Sequence, residues 1–360
     1  MRTARAVWFT GPGRVALRDE ALPAPGPREL LVRAERSAIS HGTELLVYRG
    51  QIPPGTTLDL PTLAGSFEFP IKYGYASVGR VVEAGRDVVE VRPGDRVFCL
   101  HPHQTAYVVP VDLAWKLPAD LDPERGVFAA NVETALNVLL DAPVRLGERV
   151  LVYGQGTVGL LVGMLARRNG AGRVVVVDPL AHRRALGLSL GADAALDPAA
   201  ATPEGIAKAT GGRPDAIYEV SGSPAALQGA IDAVADEGTV VVCSWYGTKP
   251  ASLMLGDRFH RGRIRLRSTQ VGRIAPELAP RWDYVRRRAA VLDLLRVLPV
   301  ERMVSHRFPF DRAAEAYALV ARQTEVAPTP QPPPPCAGEG ESGWGAGAVT
   351  QVILTYERAP

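Results

Sequence analysis

The sequence predicts an α/β plus β protein, in which a β domain is interrupted by an inserted α/β domain built on a parallel sheet. Three observations carry this. The first 120 or so residues hold short runs rich in Val, Leu and aromatics, punctuated by Gly and Pro. From Val127 onward, strand-like and helix-like patterns alternate. Beyond about Gln270 the alternation stops, and a smaller strand–helix–strand piece returns.

In chain order, strands are expected at Ala4–Phe9, Glu29–Ala34, Val78–Glu83, Arg96–Leu100 and Ala106–Val109. Turns at Gly11-Pro12-Gly13, Pro53-Pro54-Gly55 and Pro93-Gly94-Asp95 separate them. A helix follows at Val127–Leu140, where apolar residues recur at helical spacing. Strand Val150–Tyr153, helix Val158–Arg168, strand Val174–Val177 and helix Ala181–Leu190 come next. The series continues with Ala216–Val220, Ala225–Val234 and Thr239–Cys243. Continuous apolar strands between amphipathic helices imply a parallel sheet covered on both faces. Trp282–Leu295 reads as a helix with an Arg-rich outer face, followed by Met303–Phe308, a helix at Arg312–Ala321 and a strand at Val352–Tyr356. Residues 1–130 and 271–360 are expected to form the β domain and 131–270 the insertion. Residues 327–347, Pro-rich and then Gly-rich, fit no element and read as a disordered surface loop.

A length of 360 residues fits two domains, and 46% hydrophobic with 22% charged residues excludes a disordered or fibrous chain. Cys99, Cys243 and Cys336 are too few for a disulfide framework and share no metal-ligand spacing. The positive charge is spread as arginine without a dense block, so no nucleic-acid surface is expected. No apolar run reaches membrane-spanning length, and Met1–Thr10 lacks a signal-peptide core. A cytoplasmic protein acting on a small molecule is the expectation.

Gly154-Gln155-Gly156-Thr157-Val158-Gly159 follows a strand and opens a helix. In that context the first glycine permits a tight turn, the second admits a pyrophosphate, and the third lets helix pack on strand. The N–H groups of the helix start, Thr157 and Val158 among them, then face the phosphates. Asp178 closes the next strand, where a carboxylate accepts ribose hydroxyls and repels a 2′-phosphate. That favours NAD over NADP. Arg183 and Arg184 are read as residues of a solvated helix face. Ser221 and Ser244 follow strands of the same sheet, on the edge where ligands bind; Ser244-Trp245-Tyr246-Gly247 is expected to wall the nicotinamide pocket.

These segments resemble the medium-chain dehydrogenase/reductase superfamily of the zinc alcohol dehydrogenase type. The likeness rests on Ser40-His41-Gly42-Thr43-Glu44, Gly79-Arg80-Val81-Val82 with Gly85, Pro93-Gly94-Asp95-Arg96-Val97, and the nucleotide segment. It implies a GroES-like β domain with an inserted Rossmann domain, and a homodimer through the edge of the Rossmann sheet. Ser40, Gly42-Thr43-Glu44, Gly74-Tyr75 and Ser77-Val78-Gly79 look most like the bacteriochlorophyllide a dehydrogenase group, which oxidises a secondary hydroxyethyl group.

The family's catalytic zinc ligands fall here on His41 (or Ser40), on Tyr75 in Gly74-Tyr75-Ala76, and near Ala130. With at most one ligand retained, a zinc-independent member with no metal site is expected, since catalytic zinc takes about three protein ligands. An unusual site built from His41, His101 and His103 is the alternative. Without zinc, a hydrogen-bond donor or base must manage the alcohol proton. Thr43 matches the family's hydroxyl relay, His41 is a titratable neighbour, Tyr75 brings a phenol, and His101 falls on the pocket wall. Glu44 matches the family's acidic residue and is a catalytic candidate, with a structural salt bridge or hydrogen bond as the other reading. Glu133 reads as an active-site neighbour or a surface or cap residue. The expected function is NAD(H)-dependent interconversion of a secondary alcohol and a ketone. A quinone or enoyl reductase and a non-catalytic NAD(H)-binding protein are the alternatives.

Overall fold

The computed structural model describes residues 2–58, 60–63, 65–323 and 348–356. The expected loop at 327–347 lies outside the described residues. The N-terminal part contains β1 (Arg2–Gly11), β2 (Arg14–Leu22), β3 (Glu29–Ile39), α1 (Thr43–Tyr48), the short β4 (Thr57–Leu58) and β5 (Gly65–Ser66), and β6 (Ser77–Ala84). Strands β7 (Arg96–Cys99), β8 (Ala106–Pro110) and β9 (Ala114–Lys116) precede helices α2 (Pro123–Gly126) and α3 (Ala129–Asp141). Strands β3, β6, β7 and β9 lie side by side in one sheet, with β8 also paired to β3.

The middle of the chain alternates β10 (Arg149–Tyr153), α4 (Thr157–Arg168), β11 (Arg173–Val177), α5 (Ala181–Ser189), β12 (Ala194–Leu196), α6 (Pro203–Thr210), β13 (Ala216–Glu219), α7 (Pro224–Ala233), β14 (Thr239–Val242) and β15 (Arg265–Ser268). The six strands form a parallel sheet in the order β12-β11-β10-β13-β14-β15. Val150 to Tyr153 and Val174 to Val177 are buried, as strands covered on both faces must be. The order reverses direction beside β10, and in open parallel sheets ligands bind at the carboxyl ends of the strands there.

Helix α8 (Tyr284–Val297), strand β16 (Val304–Pro309), helix α9 (Ala313–Gln323) and strand β17 (Gln351–Thr355) complete the chain. β17 pairs antiparallel with β3 and parallel with β16, so the C-terminal strands rejoin the N-terminal sheet. The α/β sheet is therefore spliced into the β part. The architecture is the expected GroES-like β unit with an inserted Rossmann-type sheet.

Besides the short α1, β4, β5, β9 and α2, four further elements escape the sequence pattern. β2 carries charged residues because it pairs only with β1, and β12 is just three residues long. β15 reads Arg-Leu-Arg-Ser because it is the outer strand and half of it faces outward. Helix α6, Pro203–Thr210, is short and starts on a Thr202 cap whose side chain accepts from the Gly205 amide.

Candidate active site

At the carboxyl end of β10 the chain turns through Gly154, whose φ is +89°. A Cβ there would stand 2.8 Å from the Ser221 backbone. At Gly159 a Cβ would fall 1.9 Å from the Gly154 carbonyl oxygen, so only glycine lets α4 start against this turn. A Cβ on Gly156 would meet nothing within 4 Å, which leaves open space before the helix. Gly156 is the N-cap and offers no side chain to the first turn of α4, so the N–H groups of that turn remain available to an anion. Asp178, at the tip of β11, is 3% exposed. One of its carboxylate oxygens accepts from the Gln155 amide at 2.7 Å and the other from the Leu180 amide at 2.8 Å. Each oxygen keeps a lone pair for a hydroxyl donor.

Sequence reasoning missed the residues that close this end. Thr157 Oγ1 donates to Gln351 Oε1 at 2.8 Å, while Gln351 Nε2 donates to the Ile39 carbonyl at 2.8 Å. One glutamine thus ties the start of α4 to the end of β3. Arg183 does not lie on a fully solvated face as expected: it is half-buried and donates to the Val349 carbonyl, with Asp178 the carboxylate that acts on it. Arg184 turns back onto the Asp178 and Pro179 carbonyls. The Thr157–Gln351 and Arg183–Val349 contacts span 194 and 166 positions, so no local pattern signals them.

Glu219, at the tip of β13, is fully buried. Its carboxylate accepts from the Ser221 amide and hydroxyl, the Gly222 amide and the Tyr246 hydroxyl. Ser221 is therefore held by Glu219, and Ser244 Oγ donates to the Glu219 carbonyl at 3.4 Å. Both serines sit at the strand tips where they were expected, engaged in shaping the loop.

On the β side, the Tyr75 hydroxyl donates to Ser40 Oγ, with Thr43 and the Glu44 carboxylate close by. Burial first, and the charge of Glu44 second, push the Tyr75 phenol up to about 12. Glu44 is fully buried: it accepts from the Tyr317 hydroxyl at 2.6 Å, from the Ser40 amide at 3.1 Å, and lies 3.0 Å from His103 Nε2. His103 Nδ1 reaches Ser37 Oγ, which meets the Tyr356 hydroxyl. Glu44 thereby takes the structural-partner reading, fastening α1, β3 and α9 beneath Tyr75.

His41 sits apart from this cluster. Both of its ring nitrogens are buried without a partner. Burial, then the charges of Arg183 and His306, hold its pKa down to about 3. His101 stacks on Tyr107 at 3.8 Å between ring centroids and donates Nδ1–H to the Pro102 carbonyl at 2.9 Å. It lines a cavity of about 330 Å³ walled by Leu60, Leu63, Val108 and Pro110. Burial likewise holds His101 down to about 3.

A pH prediction follows from the two histidines. In the unfolded chain they protonate near 6.5, and in the folded chain only near 3. Stability is whole above pH 6.5 and falls as the pH drops from 6.5 toward 3, by about 1.4 kcal/mol per unit for each histidine. Urea unfolding is expected to show a clearly lower midpoint at pH 5 than at pH 7. The same midpoint at both pH values would contradict the burial of these rings.

Residues 26–134 match the alcohol dehydrogenase GroES-like domain family, and residues 157–285 the zinc-binding dehydrogenase family. The chain is 32% identical over 339 residues to 2-desacetyl-2-hydroxyethyl bacteriochlorophyllide A dehydrogenase of Cereibacter sphaeroides, covering 88% of this chain and 94% of the relative. The chain belongs to the medium-chain dehydrogenase/reductase superfamily. Among solved structures, a short chain alcohol dehydrogenase of Escherichia coli CFT073 complexed with NADH superposes with a TM-score of 0.75 at 19% identity, covering 98% of this chain and 99% of the other. A protein of Sinorhizobium meliloti 1021 described as a zinc-binding dehydrogenase, bound to NADP, gives 0.74 at 22%, covering 99% and 100%.

The positions that the resemblance assigns to the family's catalytic zinc can now be placed in the structure. They fall on His41 (or Ser40), on Tyr75, whose hydroxyl donates to Ser40, and near Ala130. Among the described residues, no three His, Cys, Asp or Glu side chains converge on a metal-sized site. Of the alternative set His41, His101 and His103, His103 meets Ser37 and Glu44, and His101 Nδ1 meets the Pro102 carbonyl. Glu133, an open choice between site and surface, is buried and paired with Arg287 of α8 at 2.9 Å. The outer face expected for that arginine is corrected by the same contact.

Proposed function

We propose that this chain is an NAD(H)-dependent, zinc-independent oxidoreductase interconverting a secondary alcohol and a ketone. The observation that carries the reading is the hydroxyl cluster of Tyr75, Ser40 and Thr43 at the position where relatives of the zinc type hold metal ligands. Residues suited to the cofactor are the Gly154–Gly159 turn, the first turn of α4 at Thr157 and Val158, and Asp178 for the ribose. A nicotinamide cofactor bound there supplies or accepts the hydride.

The chain's own part is the proton. Tyr75, held protonated across the physiological range, turns its O–H from Ser40 Oγ to the oxygen of a carbonyl that has accepted hydride and protonates it. The Ser40 hydroxyl then donates to the phenolate until solvent reprotonates it. Ser40 accepts a hydrogen bond from Tyr75 and, with Thr43, links the phenol to the first turn of α1. Glu44 stays beneath as an acceptor that orients Ser40 through its backbone amide. His101 walls the neighbouring cavity as a neutral ring.

NADH absorbance followed with secondary alcohols and with their ketones tests the reaction. Turnover of ketones or alcohols, with metal well below one equivalent, supports it. Turnover confined to quinones or enoyl substrates transfers the reading to a reductase, and tight NADH binding without any turnover transfers it to a cofactor-binding protein. Stoichiometric zinc in the active enzyme overturns zinc independence.

Asp178→Gly is expected to weaken NAD(H) by at least tenfold while changing NADP(H) much less, because it removes the ribose acceptor together with the charge that repels a 2′-phosphate. Fluorescence titration of both cofactors measures this; a wild-type preference for NADPH would remove the NAD assignment. A homodimer through β15 is part of the same proposal: among the described residues the outer edge of this strand is unpaired, and Leu266 on it is exposed. Among the described residues no helix is long and apolar enough to cross a membrane.

A further inference from the structure

The tips of β13 and β14 are tied to a single carboxylate. Glu219, the last residue of β13, is fully buried. Its Oε1 accepts from the Ser221 amide at 2.7 Å, the Ser221 hydroxyl at 2.5 Å and the Gly222 amide at 2.9 Å. Its Oε2 accepts at 2.8 Å from the hydroxyl of Tyr246, in the loop beyond β14. Four donors from two separate loops thus converge on one acid, and a carboxylate is tolerated in the interior only when such bonds surround it.

Neighbouring contacts bind the two loops into one wall. Gly222, at φ +66°, presents its carbonyl to Lys249 Nζ at 2.6 Å, and the Tyr246 hydroxyl also approaches the Ser223 carbonyl at 3.4 Å. Burial, then the charge of Glu219, hold the Tyr246 phenol far above its usual range, so it stays a donor at every working pH. Farther along, the Thr248 amide donates to the Gln51 carbonyl at 3.2 Å and anchors the loop on the β part. On its other side the wall backs onto the nucleotide turn, where the Ser221 backbone lies against Gly154.

The strand order reverses between β10 and β13, and a dinucleotide bound across that point sets one mononucleotide on each side. Asp178 belongs to the β11 side, the side of the adenosine ribose; the Glu219 loops belong to the other. We infer that Glu219 is a positioning residue for the nicotinamide half of the cofactor, holding the turn after β13 and the loop after β14 in the arrangement that receives it. The inference rests on the cofactor site proposed above and names the residue that shapes its far side.

The test compares NADH with ADP-ribose, which keeps the adenosine, both phosphates and the second ribose but lacks the nicotinamide. Calorimetric titration of the full chain with each gives the ratio of the two dissociation constants, and no turnover is needed. Glu219→Met keeps the length of the side chain and removes every acceptor. It is expected to weaken NADH at least about tenfold and ADP-ribose less than about threefold. Tyr246→Phe deletes one hydroxyl and is expected to shrink the ratio by about three- to fivefold. Glu219→Gln is expected to keep the ratio within about twofold, because its Oε1 still accepts the Ser221 and Gly222 amides while its Nε2 donates to the Tyr246 oxygen. A residue that only stabilises the sheet would lower the unfolding temperature and leave the ratio alone. Equal weakening of both ligands in Glu219→Met, or an unchanged ratio, overturns the inference. Should that variant not fold, an unchanged ratio in Tyr246→Phe overturns it instead. A wild type that binds neither ligand fails the cofactor reading and this inference with it, whereas tight NADH binding with an unmoved ratio fails this inference alone.

Discussion

Tyr75→Phe is expected to lower kcat for ketone reduction about 100-fold, with NADH affinity held within about twofold. Removing the hydroxyl deletes the proton donor and leaves Ser40 Oγ without its partner, while the ring keeps its place beside Tyr73. The size of the effect follows from the worth of a positioned general acid, commonly 10²- to 10⁴-fold. The residues proposed for the cofactor lie elsewhere, at the Gly154–Gly159 turn and Asp178. Burial and Glu44 keep the phenol protonated until about pH 12, so this group adds no ionisation to the kcat profile between pH 6 and 9. Stopped-flow traces of NADH oxidation report the step directly. A variant that turns over as fast as the wild type removes Tyr75 from the mechanism and leaves the proton to another group.

The largest expected loss of stability is at Arg287→Met, about 3–5 kcal/mol. Arg287 is 2% exposed and pairs with Glu133, while its Nη1 donates to Asn137 Oδ1 at 2.7 Å. Asn137 donates in turn to Asp141, which also accepts from Thr269 at the end of β15. The network thus joins α3 and α8 to the edge strand of the nucleotide sheet. Burial outweighs the pull of Arg287 and holds the Glu133 carboxyl above its usual range, so the pair gains little by itself. Taking away the arginine alone strands a buried carboxylate, and that is the source of the cost. The double variant Glu133→Met/Arg287→Met is therefore expected to recover most of the loss. Thermal unfolding of the two variants decides it: equal losses would mean that packing, not the stranded charge, sets the penalty.

Phe67 and Gln351 show where the sequence falls silent. Phe67 sits among loop residues with no periodicity, and the ring it meets is Trp245, almost 180 positions away. Gln351 belongs to an ordinary-looking terminal strand and gains its place from Thr157, 194 positions earlier. Arg183 and Arg287 misled for a related reason. Each lies on a helix with other arginines, a pattern that reads as a wet face until a distant segment covers it. The residues expected to act on the alcohol divide likewise. Tyr75 and Thr43 share a cluster, Glu44 braces it from below, His101 walls a cavity, and both ring nitrogens of His41 are buried without a hydrogen-bond partner.

By itself the sequence determined the order of β and α/β segments, the glycine turn with its acidic strand end, and the poverty of metal donors at the family's ligand positions. All three are local: backbone sterics at glycine, burial periodicity and residue chemistry at a motif are written within a few neighbouring positions. Only the tertiary structure decided which polar groups meet. Hydrogen bonds and ring contacts between residues more than a hundred positions apart depend on how the C-terminal strand returns to β3 and how the Trp245 loop reaches Gln51. Their energies are short-ranged in space and carry no trace along the chain.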